Sequence, residues 1–201
     1  MASLSLESVG GISTTGAAHV LFIDQHSRSM AAHHRRVADL CARIGHCLGL
    51  SDDRIYGLYL AASFHDIGKI HVPAWLLAKP GPLSDAEFEI IRAHVKVGYE
   101  IIKDIRWPWP VGDIILQHHE RLDGSGYPQG LNAEEIILES RIIAVADVVE
   151  AMSSYRPYRR VTPGTAAALR EIESRSGRLY DPAVVEACVR LFRNEAYRFP
   201  D

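Results

Sequence analysis

The sequence predicts an all-α domain, and three observations carry that expectation. Apolar residues recur at i, i+3, i+4, i+7 and i+11 in Val37, Leu40, Cys41, Ile44 and Leu48, the stripe of one helix face. Helix-start signals recur along the chain at Ser51-Asp52-Asp53, at Ser84-Asp85-Ala86-Glu87 and at Asp181-Pro182. No segment shows a convincing run of strand-type alternation, and no internal repeat is present. About seven helices on one core are expected over residues 29–201, after a lead-in at 1–28.

The lead-in is rich in Gly, Ser and Thr around one apolar island, Val20 to Ile23, and is expected to be partly ordered. A first helix from about Ser29 is closed by Gly49. Ser51 caps the second, which carries Ile55, Leu58, Leu60, Ala61 and Phe64 and delivers His65 and Asp66 near its end. Two glycines and three prolines make 67–82 mostly loop. The capping box at Ser84 opens a helix through about Asp104, which Trp107-Pro108-Trp109-Pro110 must break. Another helix from Val111 runs into His118-His119-Glu120, and Asp123 to Pro128 is loop by its glycines and proline. Asn132 with Glu135 is read as the start of a helix through roughly Ser153, and Thr162-Pro163 and Asp181-Pro182 start the last two.

At 201 residues, with 47% apolar and 23% charged residues, the chain has the length and composition of one globular domain. A net charge of −3 and a pI near 6.4 argue against a DNA or RNA polymer as partner. A small anionic substrate is compatible, because a bound metal inverts the local field. Cys41, Cys47 and Cys188 are odd in number and form no CxxC pair, so they read as reduced thiols, with Cys41 and Cys188 in the core. The apolar run Ala17 to Ile23 is interrupted by His19 and too short to span a bilayer, and no Lys or Arg precedes Arg28 to form a signal peptide's basic region. The expectation is a cytoplasmic protein with no membrane segment.

The unusual count is ten histidines. His65-Asp66 alone is compatible with a helix-terminal hydrogen-bonded pair. His118-His119 at a helix end before a glycine-rich loop is hard to justify as packing, and its plainer alternative is an exposed polar helix end. His94 can point to core or cleft. Asp147 interrupts the apolar run Ile142 to Ala146, where a carboxylate needs a partner or a metal. Nitrogen and oxygen ligands without thiolates suit iron, manganese or zinc in a two-metal centre.

These residues lie in a recognisable order. His33-His34-Arg35-Arg36-Val37 is followed by Phe64-His65-Asp66-Ile67-Gly68-Lys69-Ile70, Lys79-Pro80-Gly81-Pro82-Leu83 and His94 with Gly98. Then come His118-His119-Glu120-Arg121-Leu122-Asp123-Gly124-Ser125-Gly126-Tyr127-Pro128, Ala144-Val145-Ala146-Asp147 and Arg156-Pro157-Tyr158-Arg159. The set resembles the HD-GYP domain, a bacterial subgroup of the HD phosphohydrolase superfamily, over about Ser29 to Phe192.

The resemblance implies a single HD-type helical bundle, a five-helix core with extra helices, that hydrolyses cyclic di-GMP to pGpG or GMP. It implies His33, His65, Asp66, His94, His118, His119 and Asp147 as ligands of two divalent ions, iron or manganese foremost. Lys69 and Asp66 would act on the reacting phosphate, and Glu150, Arg156 and Arg159 would contact the substrate. Arg156 and Arg159 also read as a solvated basic patch. The loop around Tyr127 would be structural or would dock a cyclase-type signalling partner. Some relatives carry a third-metal glutamate where Ser29 stands, so a binuclear site is expected; Val95 and Ile137 replace common prolines. The first ligand is His33 by spacing, with His34 the adjacent alternative, and a turn of 100° per residue predicts that one of them faces the site. The rival readings are an HD phosphohydrolase acting on another nucleotide, a silent module that binds a cyclic dinucleotide or a partner, and a structural helical adaptor, which leaves Asp147 and His118-His119 unexplained.

Overall fold

Helix α1 (Arg28–Cys47) is the wall against which the rest of the bundle assembles: its predicted stripe of Val37, Leu40, Cys41 and Ile44 is fully buried. The computed structural model describes residues 28–77, 79, 81–154 and 162–200, with side chains from residue 30. The lead-in expected at 1–28 lies, apart from the backbone of Arg28, outside these residues.

Gly49, at φ +74°, closes α1 as its freedom from a Cβ allows. Ser51 then caps α2 (Asp52–Phe64), its Oγ accepting from Arg54 N at 3.4 Å. α2 lies along α1 and buries Ile55, Leu58, Ala61 and Phe64. The segment 67–82 holds a 3-10 helix (Ile67–His71) and a one-turn α3 (Ala74–Leu77).

The capping box at Ser84 forms as predicted, but the helix it opens is not continuous to Asp104. α4 (Asp85–Arg92) buries no residue and ends at Ala93, after which α5 (His94–Ile102) packs on the 3-10 helix. α5 alone has a core to join, and the break places His94 at its first position. Val95, where the resemblance leads one to expect proline, is fully buried. Trp107 to Pro110 crosses to α2, where Trp109 Nε1 donates to Asp53 at 3.0 Å and the indole occupies the space a side chain at Gly57 would fill.

α6 (Val111–Gln117) packs on α2 and α5 and ends just before His118. α7 begins at Leu138, not at Asn132 (Leu138–Ser153). Asn132 N does donate to Glu135 at 2.9 Å, but Asn132 is also bridged to Asp123, which holds the segment across the preceding loop and out of the helix. Ile137, the second position where the resemblance leads one to expect proline, uses its N–H to donate to Gln117 Oε1 at 2.9 Å, a bond proline could not make.

α8 (Thr165–Ser174) starts after Gly164, at φ +84°, and not from Thr162-Pro163. α9 (Pro182–Arg193) starts as predicted, with Asp181 accepting from Ala183 N and Val184 N. α7 is the central element, burying Ile142, Ile143, Val145, Ala146 and Val149 against α1, α8 and α9. The described residues contain eight α-helices of seven residues or more and no β-strand beyond two isolated bridges. Cys41 and Cys188 are in the core and all three cysteines are free.

Candidate metal centre

Five helices aim polar side chains at one buried point, the functional end of the bundle. α1 supplies His33 and His34, the end of α2 supplies His65 and Asp66, and α5 begins with His94. The turn after α6 supplies His118 and His119, and α7 brings Asp147 and Glu150.

Three of the imidazoles are set by the same local device. The ring Nδ1–H of His65 donates to Ala62 O at 2.7 Å, that of His94 to Ile91 O at 2.7 Å and that of His118 to Ile115 O at 2.6 Å. A carbonyl only accepts, so Nδ1 carries the proton and Nε2 presents a lone pair to the interior. This is how ligating histidines are usually oriented.

Asp66 joins two clusters. Its Oδ2 lies 3.5 Å from His65 Nε2, 3.8 Å from His33 Nε2 and 4.0 Å from His34 Nε2, and its Oδ1 lies 3.2 Å from His94 Nε2. One group is His33, His34, His65 and Asp66; the other is Asp66, His94, His118 and His119. Within each, the potential ligand atoms lie within 4.8 Å of one another. Asp147 faces the first group, with Oδ1 3.3 Å from His33 Nε2 and 3.9 Å from His65 Nε2. It is not sealed in the apolar run that precedes it: its side chain is 20% exposed, at the edge of the cleft.

The chemistry of these donors fits metal ions. Nε2 of His34, His65, His94 and His118, Nδ1 of His34 and Oδ1 of Asp66 are buried without a hydrogen-bond partner. So many orphaned polar atoms facing one point are costly unless a cation meets them. Burial holds His65, His118 and His119 below the ordinary histidine range and takes His34 down to about 3, so each is neutral with a lone pair to give. Burial would raise Asp66, but the ammonium of Lys69 beside it holds it well below the usual carboxylate range. Asp147 is likewise held low, by His33 against burial. In these four histidines and two carboxylates the protonation states are those that ligation needs, whereas His33, raised to about 9 by Asp147 and Glu150 against burial, would give up its proton to an ion.

Every ligand position that the resemblance implies converges here, and Lys69 Nζ donates to Asp66 Oδ2 at 2.5 Å. His33 and His34 both face the site, contrary to the expectation that one would: the target lies between their two directions. Glu150, expected at the substrate, is buried with Oε2 2.5 Å from His33 Nδ1 and Oε1 accepting from Arg36 Nε at 2.7 Å and Ser154 Oγ at 2.6 Å. Arg156 and Arg159 lie outside the described residues.

Two features were not read from the sequence. Glu120 is buried, and its carboxylate accepts from Gln129 N at 2.7 Å, Gly130 N at 3.2 Å and Leu131 N at 3.1 Å, so it ties down the glycine-rich loop. Gly126 lies so close to the backbone of Glu120 and Arg121 that no side chain fits there. Tyr127, next in the loop, stacks on His119 with ring centroids 4.8 Å apart, and Arg92 lies over the Tyr127 ring at 5.0 Å. A glutamate directly before a glycine-rich loop was the available signal.

Comparison with known proteins identifies the family. The HD domain family matches residues 21–184. A cyclic di-GMP phosphodiesterase of Thermotoga maritima is 47% identical over 161 residues, covering 79% of this chain and 44% of the relative. A 3'3'-cGAMP-specific phosphodiesterase of Vibrio cholerae is 42% identical over 137 residues, 68% of this chain and 32% of the relative. The chain thus spans less than half the length of these relatives. Among solved structures, an HDG"Y"P protein from Bdellovibrio bacteriovorus shares the fold, with TM-score 0.67 at 20% identity over 90% of this chain and 62% of that one. On the family match and the motifs now placed around Asp66, the chain belongs to the HD domain family and, within it, to the HD-GYP type.

Proposed function

We propose that the chain is a metal-dependent phosphodiesterase that hydrolyses cyclic di-GMP to pGpG or GMP. One observation carries the reading: two buried ligand clusters share the carboxylate of Asp66, an arrangement suited to a pair of divalent ions. His33, His65, Asp66 and Asp147 would hold one ion, and Asp66, His94, His118 and His119 the other, with iron or manganese the metals of choice for these nitrogen and oxygen donors. When bound, such a pair supplies a nucleophile from water near neutral pH and neutralises charge that grows on the phosphoryl oxygens.

The chain's own residues do the rest. Lys69, whose ammonium already reaches Asp66, would meet a non-bridging phosphate oxygen of the substrate. Glu150 fixes the ring of His33 and acts through it. Arg156 and Arg159 would grip a phosphate or a guanine edge of the substrate. The loop held by Glu120 forms the rim next to His119, and a cyclase-type partner would dock on it. Free cysteines support a reducing, cytoplasmic setting, and no described helix is long and apolar enough to cross a membrane.

A cyclic GMP-AMP substrate is the second reading, favoured by the similarity to the Vibrio cholerae enzyme. The deciding experiment is elemental analysis of anaerobically purified protein, coupled to chromatographic assays with both cyclic dinucleotides. About two ions per chain with linear product from cyclic di-GMP is the expected result. Metal without turnover of either nucleotide would point to another substrate, and neither metal nor turnover would leave a binding module.

A further inference from the structure

We propose that His34 is a metal ligand in its own right, completing the pocket that it forms with His33, His65 and Asp66. The inference rests on the metal-centre reading above and adds a donor to it. Neighbouring residues on a helix diverge by about 100°, so both can serve one site only if it lies between their directions. It does: Asp66 Oδ2 is 3.8 Å from His33 Nε2 and 4.0 Å from His34 Nε2.

The surroundings of His34 differ from those of a packing histidine. The residue is 4% exposed, and both ring nitrogens are buried without a hydrogen-bond partner among the described residues. His65, His94 and His118 each spend Nδ1 on a carbonyl of their own helix, and His33 spends it on Glu150. His34 has no such anchor, and its ring packs 5.2 Å from His65 and 5.5 Å from His33, centroid to centroid. A buried imidazole whose lone pair faces other imidazoles and an ionised carboxylate has a cation as its natural partner.

The consequence is a matched pair of pockets. With His34 counted, each would offer three imidazoles and an oxygen of the shared Asp66: His33, His34 and His65 on one side, His94, His118 and His119 on the other. Without it the first pocket has one imidazole fewer and relies on Asp147.

Zinc alone is a suitable probe, because it is diamagnetic and accepts these donors. Metal-stripped wild-type protein, titrated calorimetrically, is expected to bind in two steps. His34→Ala and His34→Gln should each weaken one step by about tenfold or more and leave the other within about twofold, while His118→Ala weakens the other. Nitrogen-15 NMR of the zinc-loaded wild type gives a readout that needs no variant to fold: all six imidazoles of the two groups should show metal-shifted ring nitrogens. A free His34 ring in that spectrum, or folded variants with both steps unchanged, overturns the inference and leaves the metal centre standing. Wild-type protein that takes up no zinc overturns both.

Discussion

At the scale of the residue, the chemistry of the centre turns on His33 and the carboxylates around it. Burial by itself depresses His33, but Asp147 and Glu150 outweigh it and raise the imidazole from 6.5 to about 9. Burial would raise Glu150, yet His33, Ser154 and Arg36 bring it from 4.5 to about 2. In metal-stripped protein the raised histidine therefore stabilises the fold fully below pH 6.5 and ceases to do so as pH rises through 9. The lowered glutamate stabilises above pH 4.5 and ceases to as pH falls through 2. The pair is at full strength between about 4.5 and 6.5. Thermal unfolding across pH should show a Tm that declines on the alkaline side, and Glu150→Gln should shrink that decline; an unchanged profile would mean that the pair does not form. Only His118-His119 and Asp147 stood in the sequence where packing did not explain them; His65, Asp66 and His94 had ordinary readings on their own, and His33 was singled out by the resemblance. The convergence of His33 with His34 was not legible, since helical periodicity fixes the angle between two side chains and says nothing about where a third element sits.

At the scale of the element, the glycines decide how closely the pieces meet. A Cβ on Gly68 would overlap the carbonyl of His94 and the amide of Gly98, so the 3-10 helix reaches α5 only because the residue after Asp66-Ile67 is glycine. Gly68→Ala should push α5 and its His94 away at a cost of about 3 kcal/mol, a fall in Tm of about 10 °C. A melting temperature equal to wild type would show that the contact relaxes freely. The loop 123–131 depends instead on Glu120. Glu120→Ala leaves the amides of Gln129, Gly130 and Leu131 without their acceptor, and hydrogen exchange at these three should accelerate by at least about tenfold, a loss of 1.4 kcal/mol or more. Equal exchange in variant and wild type would mean that the loop holds itself. Caps that act locally, at Ser51, Ser84 and Asp181, were legible as helix starts. The false start at Asn132 and the break at Ala93 were not, because each follows from a tertiary contact: the bridge to Asp123 in one case, the packing of α5 without α4 in the other.

At the scale of the molecule, the centre ties together helices far apart in sequence, from His33 on α1 to Asp147 on α7, and Asp66 is the one carboxylate present in both ligand groups. Metal should therefore act as a staple. An ion that binds the folded chain at one hundred times its dissociation constant stabilises by about 2.7 kcal/mol, which for a domain of this size raises Tm by about 8 °C. Substitutions then sort by how many pockets they touch. Asp66→Ala removes the oxygen donor common to both, so the metal-dependent rise in Tm and the hydrolysis of cyclic di-GMP should both vanish while the far-ultraviolet helical signal persists. His119→Ala touches one pocket: under the proposed two-ion reaction hydrolysis should still vanish, but part of the thermal rise should remain. A rise lost equally in the two variants would argue that the pockets fill only together, and wild-type turnover in Asp66→Ala would place the chemistry elsewhere in the molecule.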